Sequence, residues 1–289
     1  MSHDNRLHEP ILSTPTGYLN EDFRLFHLRD KTPGVWEFHH HDFLKIMILV
    51  EGRIDYVIEG RNYHLAPWDI VLVDRGQLHR PEADPGFPYE RIILYLSPDF
   101  LEQYSGADPL TQCFREAQYR HSHILRLREE LRAPLVSLLS RMESALDGHS
   151  NTFGNALMSR LLCLEFMIEL NRASISSNSG YLAAGTLDYR ISGLLSYINS
   201  HLEQELSIGH LASVCCLSPY HMMRIFKEET GLTIGSYIAE KRLILAREYI
   251  KAGKNATEAC YLSGFKHYSV FLRAYKKRYN GLPRELGKR

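Results

Sequence analysis

The stretch LSIGHLASVCCLSPYHMMRIFKEETG, residues 206–231, decides the fold of the C-terminal third of the chain. Ser207 is a good N-cap for one short helix, and Ser218-Pro219 provides the N-cap and first residue of a second. In the second helix Met222 and Phe226 share an apolar face, while its other face is polar and basic. Two short helices across a tight turn, the second basic on its outer face, predict a helix-turn-helix.

The same design recurs in NATEACYLSGFKHYSVFLRAYKKRYNG, residues 255–281. The pattern predicts a short helix over 257–262, a turn at 263–265, and a second helix. In that second helix we expect Val270, Phe271, Ala274 and Tyr275 to point inward. A longer amphipathic helix over 233–253 would hold the two units at a fixed separation.

Charge separates this region from the rest of the chain. From Leu187 to the C-terminus there are 16 Lys and Arg residues against 9 Asp and Glu. This part therefore carries +7 and the remainder −7, since the whole chain is neutral. The asymmetry indicates that only the C-terminal third meets a polyanion.

The residues between Arg24 and Leu96 have the pattern of β-structure. Short runs rich in branched residues are separated by turn signals at Glu51-Gly52, Glu59-Gly60 and Arg75-Gly76. The runs are KIMILV (45–50), RIDYVI (53–58), DIVLV (69–73) and RIILYL (91–96). Many short strands at this spacing predict a small barrel or a sandwich.

After this segment the apolar period becomes helical. Residues 125–146 and 153–170 predict two amphipathic helices, joined by a turn at 147–150. Their apolar faces cover the β-domain or meet a second subunit. The small, polar stretch 174–186 predicts a flexible linker. We therefore divide the chain into an N-terminal arm (1–20), a β-barrel (21–100), a helical dimerisation segment (101–173), the linker (174–186) and a DNA-binding domain (187–289).

The duplicated C-terminal pattern resembles the AraC/XylS family of bacterial transcription regulators. The matching stretches are 206–231, 237–246 and 259–281, with Gly264-Phe265 and Tyr275-Lys276-Lys277 at the family's spacing. One departure lies at the end, where the family has Gly-x-Ser/Thr-Pro and this chain has Gly281-Leu282-Pro283, one residue shorter. The departure affects the last turn and leaves the two recognition helices intact.

The resemblance implies that one recognition helix enters each of two successive major-groove segments of double-stranded DNA. Arg224 and Arg273 stand at the family's base-reading positions, and an arginine fork matches the edge of guanine. Five further residues are placed for contact with a base or a thymine methyl group: Tyr220, Met223, His267, Tyr268 and Ser269. Lys227, Lys266 and Lys276 are expected at phosphates, which position the protein without specifying sequence.

Three consecutive histidines, His39, His40 and His41, begin a segment that resembles the first motif of a cupin barrel, the sensor domain of many AraC-type regulators. Metal cupins place a glutamate where this chain has Lys45, and their second motif ends in a histidine, here His79. Three imidazoles, at positions 39, 41 and 79, could still converge on zinc or copper. A cation at position 45 disfavours a divalent ion, so we predict a metal-free pocket. A purely structural or exposed histidine run is the remaining alternative.

A sensor pocket holds a small molecule against aromatic walls and orients it with a few polar groups. The candidate effector-binding residues are Arg24, Trp36, His39, His41, Lys45, Tyr56, Trp68, His79 and Tyr95. Strand alternation would put His39 and His41 on one face and His40 in solvent. Aromatic rings beside polar donors suit a sugar or a related nutrient, or an anion held by Arg24 or Lys45.

These patterns together predict an α+β protein with an N-terminal cupin-like β-barrel, a helical dimerisation segment and a C-terminal all-α double helix-turn-helix domain. We interpret it as a ligand-responsive transcription regulator that acts as a cytoplasmic homodimer on DNA and contacts RNA polymerase. The pattern calls for no cofactor, catalytic residue or membrane segment, and the five cysteines lack a CxxC spacing. The alternatives are a metal-dependent cupin enzyme with an accessory helical domain and a constitutive nucleoid or adaptor protein without an effector.

Overall fold

The computed structural model describes residues 16–17, 19, 21–146, 153–176, 180–183, 185–186, 189–279 and 281–286. The predicted arm at 1–20 and the turn at 147–150 lie largely or wholly outside these residues. The chain forms two compact units. The first comprises Met1–Trp36, His41–Ile58 and Asn62–Gly185, and the second comprises Glu37–His40, Glu59–Arg61 and Thr186–Arg289.

The strands are β1 (Thr16–Gly17), β2 (Phe23–Asp30), β3 (His40–His41), β4 (Leu44–Glu51), β5 (Ile54–Ile58), β6 (Arg61–Leu65), β7 (Ile70–Val73), β8 (His79–Ala83), β9 (Tyr89–Leu96), β10 (Ile124–Arg126), β11 (Gly180–Tyr181) and β12 (Gly185–Thr186). The helices are α1 (Pro98–Tyr104), α2 (Gln112–Tyr119), α3 (Glu129–Leu146), α4 (Asn155–Ile175), α5 (Tyr189–Ser200), α6 (Ile208–Val214), α7 (Pro219–Thr230), α8 (Ile234–Lys251), α9 (Ala256–Leu262), α10 (Tyr268–Tyr279) and α11 (Pro283–Leu286).

The first unit is built on a six-stranded sheet in the order β11-β10-β7-β4-β9-β2 and a four-stranded sheet in the order β12-β6-β5-β8. Strand β4 shows how the six-stranded sheet separates two cores. Its residues Leu44, Ile46 and Ile48 belong to an outer core with helices α1 to α4. Met47 and Leu49 belong to an inner core shared with the four-stranded sheet. Because both faces are covered, the strand is apolar on both faces from Ile46 to Val50.

Two segments of the first unit differ from the sequence prediction. Leu125, predicted to begin a helix, pairs instead with Ile70 of β7 and with Tyr181 of β11. A three-residue strand is too short to show a period of its own. The apolar residues of β10 therefore looked like the beginning of the helix α3 in the sequence. The pairing also adds residues 180–181, predicted as part of a flexible linker, to the sheet.

The second unit contains the helices α5 to α11, and the two predicted helix pairs are α6/α7 and α9/α10. Ser207, Ser218 and Thr233 each accept a hydrogen bond from a backbone N–H of the helix that follows. Asn255 caps α9 through a capping box with Glu258. These caps satisfy donors that have no partner within the helix, which is why each helix begins where the sequence predicts.

The turn of the second pair requires a glycine. Gly264 has φ +90°, and a Cβ at this position would lie 2.2 Å from the carbonyl oxygen of Leu202. Only glycine adopts this conformation and tolerates this approach without strain. The Gly264-Phe265 motif therefore has a local structural cause. With a β-rich first unit and a helical second unit, the predicted α+β class is confirmed.

Candidate nucleic-acid interface and effector site

Helix α7 has one buried face and one exposed face. Met222 and Phe226 are fully buried and Ile225 is 9% exposed, so these side chains pack α7 against the rest of the second unit. On the other face Tyr220 is 75% exposed and Met223 is 41% exposed. Arg224 and Lys227 are exposed on the same face. All four predicted contact residues of this helix are thus available to a ligand outside the unit.

The exposed face of α7 borders a groove of about 330 Å³. Apolar side chains of Ile208, Met223 and Ile234 line it together with the cationic Arg224 and Lys227. This apolar hollow therefore lies beside two cations.

Arg224 is held by two residues of its own helix. Its Nη1 atom donates to both carboxylate oxygens of Glu228, at 2.8 and 3.0 Å. Its Nη2 atom lies 3.4 Å from Nδ1 of His221. The sequence prediction missed Glu228, although its spacing of four residues from Arg224 is that of an ion pair on a helix surface.

At α10 and the residue before it the predicted contact residues are again accessible. One residue predicted to lie in the core of this helix is exposed instead. His267, Ser269, Arg273 and Lys276 are exposed, and Tyr268 is half-buried. Val270 was expected to point inward but is 50% exposed, which corrects that prediction. The buried face is made by Phe271, Tyr275 and Arg278, spaced by four and three residues. Val270 precedes this stripe in the first turn of the helix and lies outside it.

Lys266, predicted to meet phosphate, is exposed and forms an ion pair with Glu205 at 2.5 Å. The hydrogen bond from the ammonium and its positive charge lower the pKa of the Glu205 carboxyl below its usual value. Both partners are mostly solvent-exposed, so the pair is weak and the lysine can exchange it for a phosphate.

The first unit brings five of the predicted effector residues together in its inner core. His41 and His79 lie with their ring centroids 4.8 Å apart. Tyr56 stacks on His79 at 6.1 Å, and Tyr95 lies 6.0 Å from His41. The Lys45 Nζ atom is 5.9 Å from the centre of the Tyr95 ring. All five side chains are less than 10% exposed, so this cluster is a polar centre inside an apolar core.

Hydrogen bonds define the tautomers of the two imidazoles. The Nδ1 atom of His41 lies 2.9 Å from the carbonyl oxygen of Phe43, and that of His79 lies 2.9 Å from the carbonyl oxygen of Gln77. Because a carbonyl only accepts, each Nδ1 must donate, and the neutral ring keeps an acceptor at Nε2. Phe43, which the sequence prediction missed, also stacks on His41 at 4.1 Å.

Strand pairing places the cations of this region in one row. Arg24 is opposite Tyr95 in the β2–β9 pair, and Lys45 is opposite Tyr95 in the β9–β4 pair. The three side chains therefore share a face of the sheet, with the tyrosine between the two cations. Lys45 is 3% exposed, whereas Arg24 is exposed and forms an ion pair with Glu21. One cation is thus inside the core and the other on the surface.

The other two histidines of the run belong to the second unit, and the burial of one of them corrects a prediction. His39 is half-buried, belongs to the second unit, and pairs through Nδ1 with the carbonyl of Glu37. His40, expected in solvent, is 6% exposed, and burial lowers the pKa of its imidazole. Both predictions relied on strand alternation, but β3 consists of only His40 and His41. His39 is thus assigned to a different unit from His41 and His79.

The two tryptophans are also outside the polar centre. Trp68 has a left-handed backbone, φ 72°, and packs against the outer core with Arg132 5.6 Å from its ring. Trp36 is half-buried at the border of the inner core, 5.6 Å from the Tyr89 ring. A turn residue does not follow strand alternation, and the sequence offered no signal for the direction of either ring.

His41 and His79 are candidate metal ligands whose rings lie close together among the described residues. In that part of the chain no group of three or more His, Cys, Asp or Glu side chains is arranged to hold a metal ion. The Lys45 ammonium lies 5.9 Å from the Tyr95 ring, and that ring lies 6.0 Å from the His41 ring.

Helix α4 carries apolar side chains on two faces. Leu162, Phe166, Met167 and Leu170 are buried in the outer core. A second stripe points away from it, in which Leu157 is 62% exposed, Leu161 51%, Ile168 40% and Ile175 57%. Their spacing of four or seven residues places these four side chains on one side of the helix.

Among the residues that the structure describes, none of the helices combines the length and apolar content required to cross a bilayer.

Two family models match the chain in succession. One, described as an AraC-like ligand binding domain, matches residues 21–164, and the other, described as a helix-turn-helix domain, matches residues 211–289. Together they account for most of the sequence, and each falls on the part where the structure has the corresponding architecture.

Curated relatives include the HTH-type transcriptional activator RhaS of Enterobacter sp. (strain 638), which is 28% identical over 86% of this chain and 86% of that protein. RhaS of Citrobacter koseri is 26% identical with the same coverage. Among solved structures, unsaturated-fatty-acid-bound ToxT from Vibrio cholerae is 16% identical, covers 92% of this chain and 95% of that chain, and has a TM-score of 0.40. With a TM-score of this size, the structural likeness adds nothing to the sequence matches.

Proposed function

Because the chain belongs to the AraC family of transcription regulators, we propose that it activates transcription by placing α7 and α10 in two successive major-groove segments of its operator. The observation that supports this most directly is the pair of helices α7 and α10, each with an arginine on its exposed face. Successive major-groove segments on one face of DNA are about 34 Å apart. We further propose that the chain acts in the cytoplasm and contacts RNA polymerase.

We assign base reading to Arg224 and Arg273 and backbone contacts to Lys227, Lys266 and Lys276. The arginine fork suits the two acceptors of guanine, whereas a lysine ammonium is a point charge that suits a phosphate. The hollow beside Met223 favours a thymine methyl group next to the guanine that Arg224 reads. Tyr220, His267, Tyr268 and Ser269 complete the proposed base contacts.

The DNA proposal is tested by selecting sites from a random DNA library and measuring binding of variants to the selected site. We expect Arg224→Ala and Arg273→Ala each to cost about 1–3 kcal/mol and to relax preference at one base pair. Lys276→Ala should weaken all sequences alike and reduce the salt dependence by about one unit of slope. Unchanged sequence preference in both arginine variants would show that the recognition faces are wrongly assigned.

For the first unit we propose a cupin-like sensor that binds a small hydroxylated acid, such as a sugar acid, at the polar centre made by His41, Lys45, His79 and Tyr95. The Nε2 atoms of the two imidazoles accept hydrogen bonds from hydroxyl groups, and the ammonium of Lys45 pairs with a carboxylate. An ammonium inside a core attracts an anion more strongly than one in water, which favours an acidic ligand over a neutral one. Binding would then shift the balance between two states of the regulator.

Matched pairs of probes test this choice of effector. We would measure thermal unfolding with glucose against glucuronate and with galactose against galacturonate. The acid of a pair should stabilise the chain and the neutral sugar should not, because only a ligand that binds the folded state raises Tm. The stabilisation should disappear in Lys45→Met. Equal stabilisation of Lys45→Met and the unaltered chain would contradict the assignment.

The enzyme alternative depends on a metal. The relatives that match the chain are transcription regulators, and we propose that this chain has no catalytic activity. Elemental analysis of the purified protein addresses the point. Stoichiometric zinc, iron or copper that is lost in His41→Ala would contradict the metal-free sensor and support a cupin enzyme.

We further propose that the chain is a homodimer that associates through the exposed stripe of α4. Apolar side chains that cover no core of their own protomer are the usual content of an interface. A two-fold interface buries the same stripe on both protomers, so each side chain contributes twice.

A further inference from the structure

The two recognition helices have unequal charge. In α7 the base-reading Arg224 is followed four residues later by Glu228, which holds its Nη1 atom through both carboxylate oxygens. In α10 the residue four positions after Arg273 is Lys277, and both Lys276 and Lys277 are exposed in the last turn. The duplicated motif therefore carries an ion-paired arginine in one copy and an arginine in a cationic helix in the other.

An ion-paired arginine interacts differently with DNA. The carboxylate of Glu228 cancels most of the charge of Arg224 as seen from a distant phosphate, so the arginine adds little to general attraction for DNA. Glu228 and His221, 3.4 Å from Nη2, also favour one orientation of the guanidinium along the helix. A restricted fork loses less conformational entropy when it forms two hydrogen bonds to a base.

Glu228 also acts against wrong sequences. When the fork does not meet guanine, the carboxylate stands near the negatively charged backbone without compensation from a base contact. Glu228 and Arg224 are both exposed, with side-chain exposures of 56% and 48%, so both can approach DNA. Like charges at an interface reduce binding of unmatched partners.

We infer that Glu228 is a specificity-determining residue, which positions Arg224 for a base edge and makes α7 the helix that discriminates sequence, while α10 supplies more of the general affinity. This inference rests on the proposed binding of DNA through both helices. It assigns to Glu228 a role through Arg224 and not a direct contact with a base.

The test compares Glu228→Ala with Glu229→Ala on the selected operator and on the same operator changed at the base pair that Arg224→Ala identifies. Glu229 is the next residue of the same helix and has the same charge, but it is not a partner of Arg224. Glu228→Ala should lower the ratio of the two affinities about tenfold, within the range of a lost bidentate contact. It should also tighten binding to unrelated DNA severalfold with a steeper salt dependence. Glu229→Ala should leave the affinity ratio unchanged.

Two further variants show whether Glu228 acts through Arg224. Adding Glu228→Ala to Arg224→Ala should not lower the affinity ratio further, because the positioned group is already absent. Glu228→Gln, which keeps an acceptor for the guanidinium, should retain more discrimination than Glu228→Ala. An unchanged ratio in Glu228→Ala, or an equal fall in Glu229→Ala, would overturn the inference. If Arg224→Ala itself altered no base preference, the proposed DNA contact would fail instead.

Discussion

Replacing Leu161 by glutamate should separate the proposed dimer. Leu161 lies in the middle of the exposed stripe of α4 and is 51% exposed, so about half of its surface remains to be buried by a partner. Full burial of a leucine stabilises by about 1.5–3 kcal/mol, so each copy should contribute about 1 kcal/mol. Both copies are lost together at a two-fold interface, and each new carboxylate must lose water. We therefore expect a loss of about 2–3 kcal/mol, or a Kd raised about 30- to 150-fold.

Sedimentation velocity of the full-length chain over a concentration series measures this change directly. Leu262→Glu is the matched control, because Leu262 is 41% exposed on α9 and receives the same substitution outside the stripe. Neither substitution enters a core, so the unfolding temperature of both variants should remain close to that of the unaltered chain. Equal dissociation constants for the two variants would refute the assignment of the interface to α4. A monomeric unaltered chain at tens of micromolar would refute the dimer itself.

Three other predictions concern single groups. The ion pairs of His27 with Glu143 and Glu90 raise its pKa, so its stabilisation is present below about pH 6.5 and is lost as pH rises through the raised pKa. His27→Gln should therefore flatten the pH dependence of Tm between pH 6 and 9, measured by calorimetry, by a few degrees at most because the site is partly exposed. Native thiol titration should modify the exposed Cys216 first, whereas burial raises the pKa of Cys113 to about 12 and should leave it unreactive until the chain unfolds. Gly264→Ala should destabilise the second helix-turn-helix by at least about 2 kcal/mol, seen in denaturant unfolding and as lost operator binding, since alanine fits neither the backbone angle nor the space.

The helical part of the protein was predictable from its sequence because its signals are local. A helix forms hydrogen bonds four residues apart, and its ends are satisfied by neighbouring side chains such as Ser207, Ser218 and Asn255. The turn at Gly264 is likewise specified by one residue that tolerates a positive φ. The α+β class and the two helix-turn-helix units followed from such signals.

The polar centre of the first unit depended on tertiary structure, because strands pair with residues far away in the sequence. Arg24 and Lys45 come together only through Tyr95, a residue of a third strand. Sequence could propose that histidines and a lysine line a pocket, but not that His41 would enter the inner core while His39 would join the other unit. Alternation fixes the direction of a side chain only within a strand, and the histidine segment forms just two residues of one.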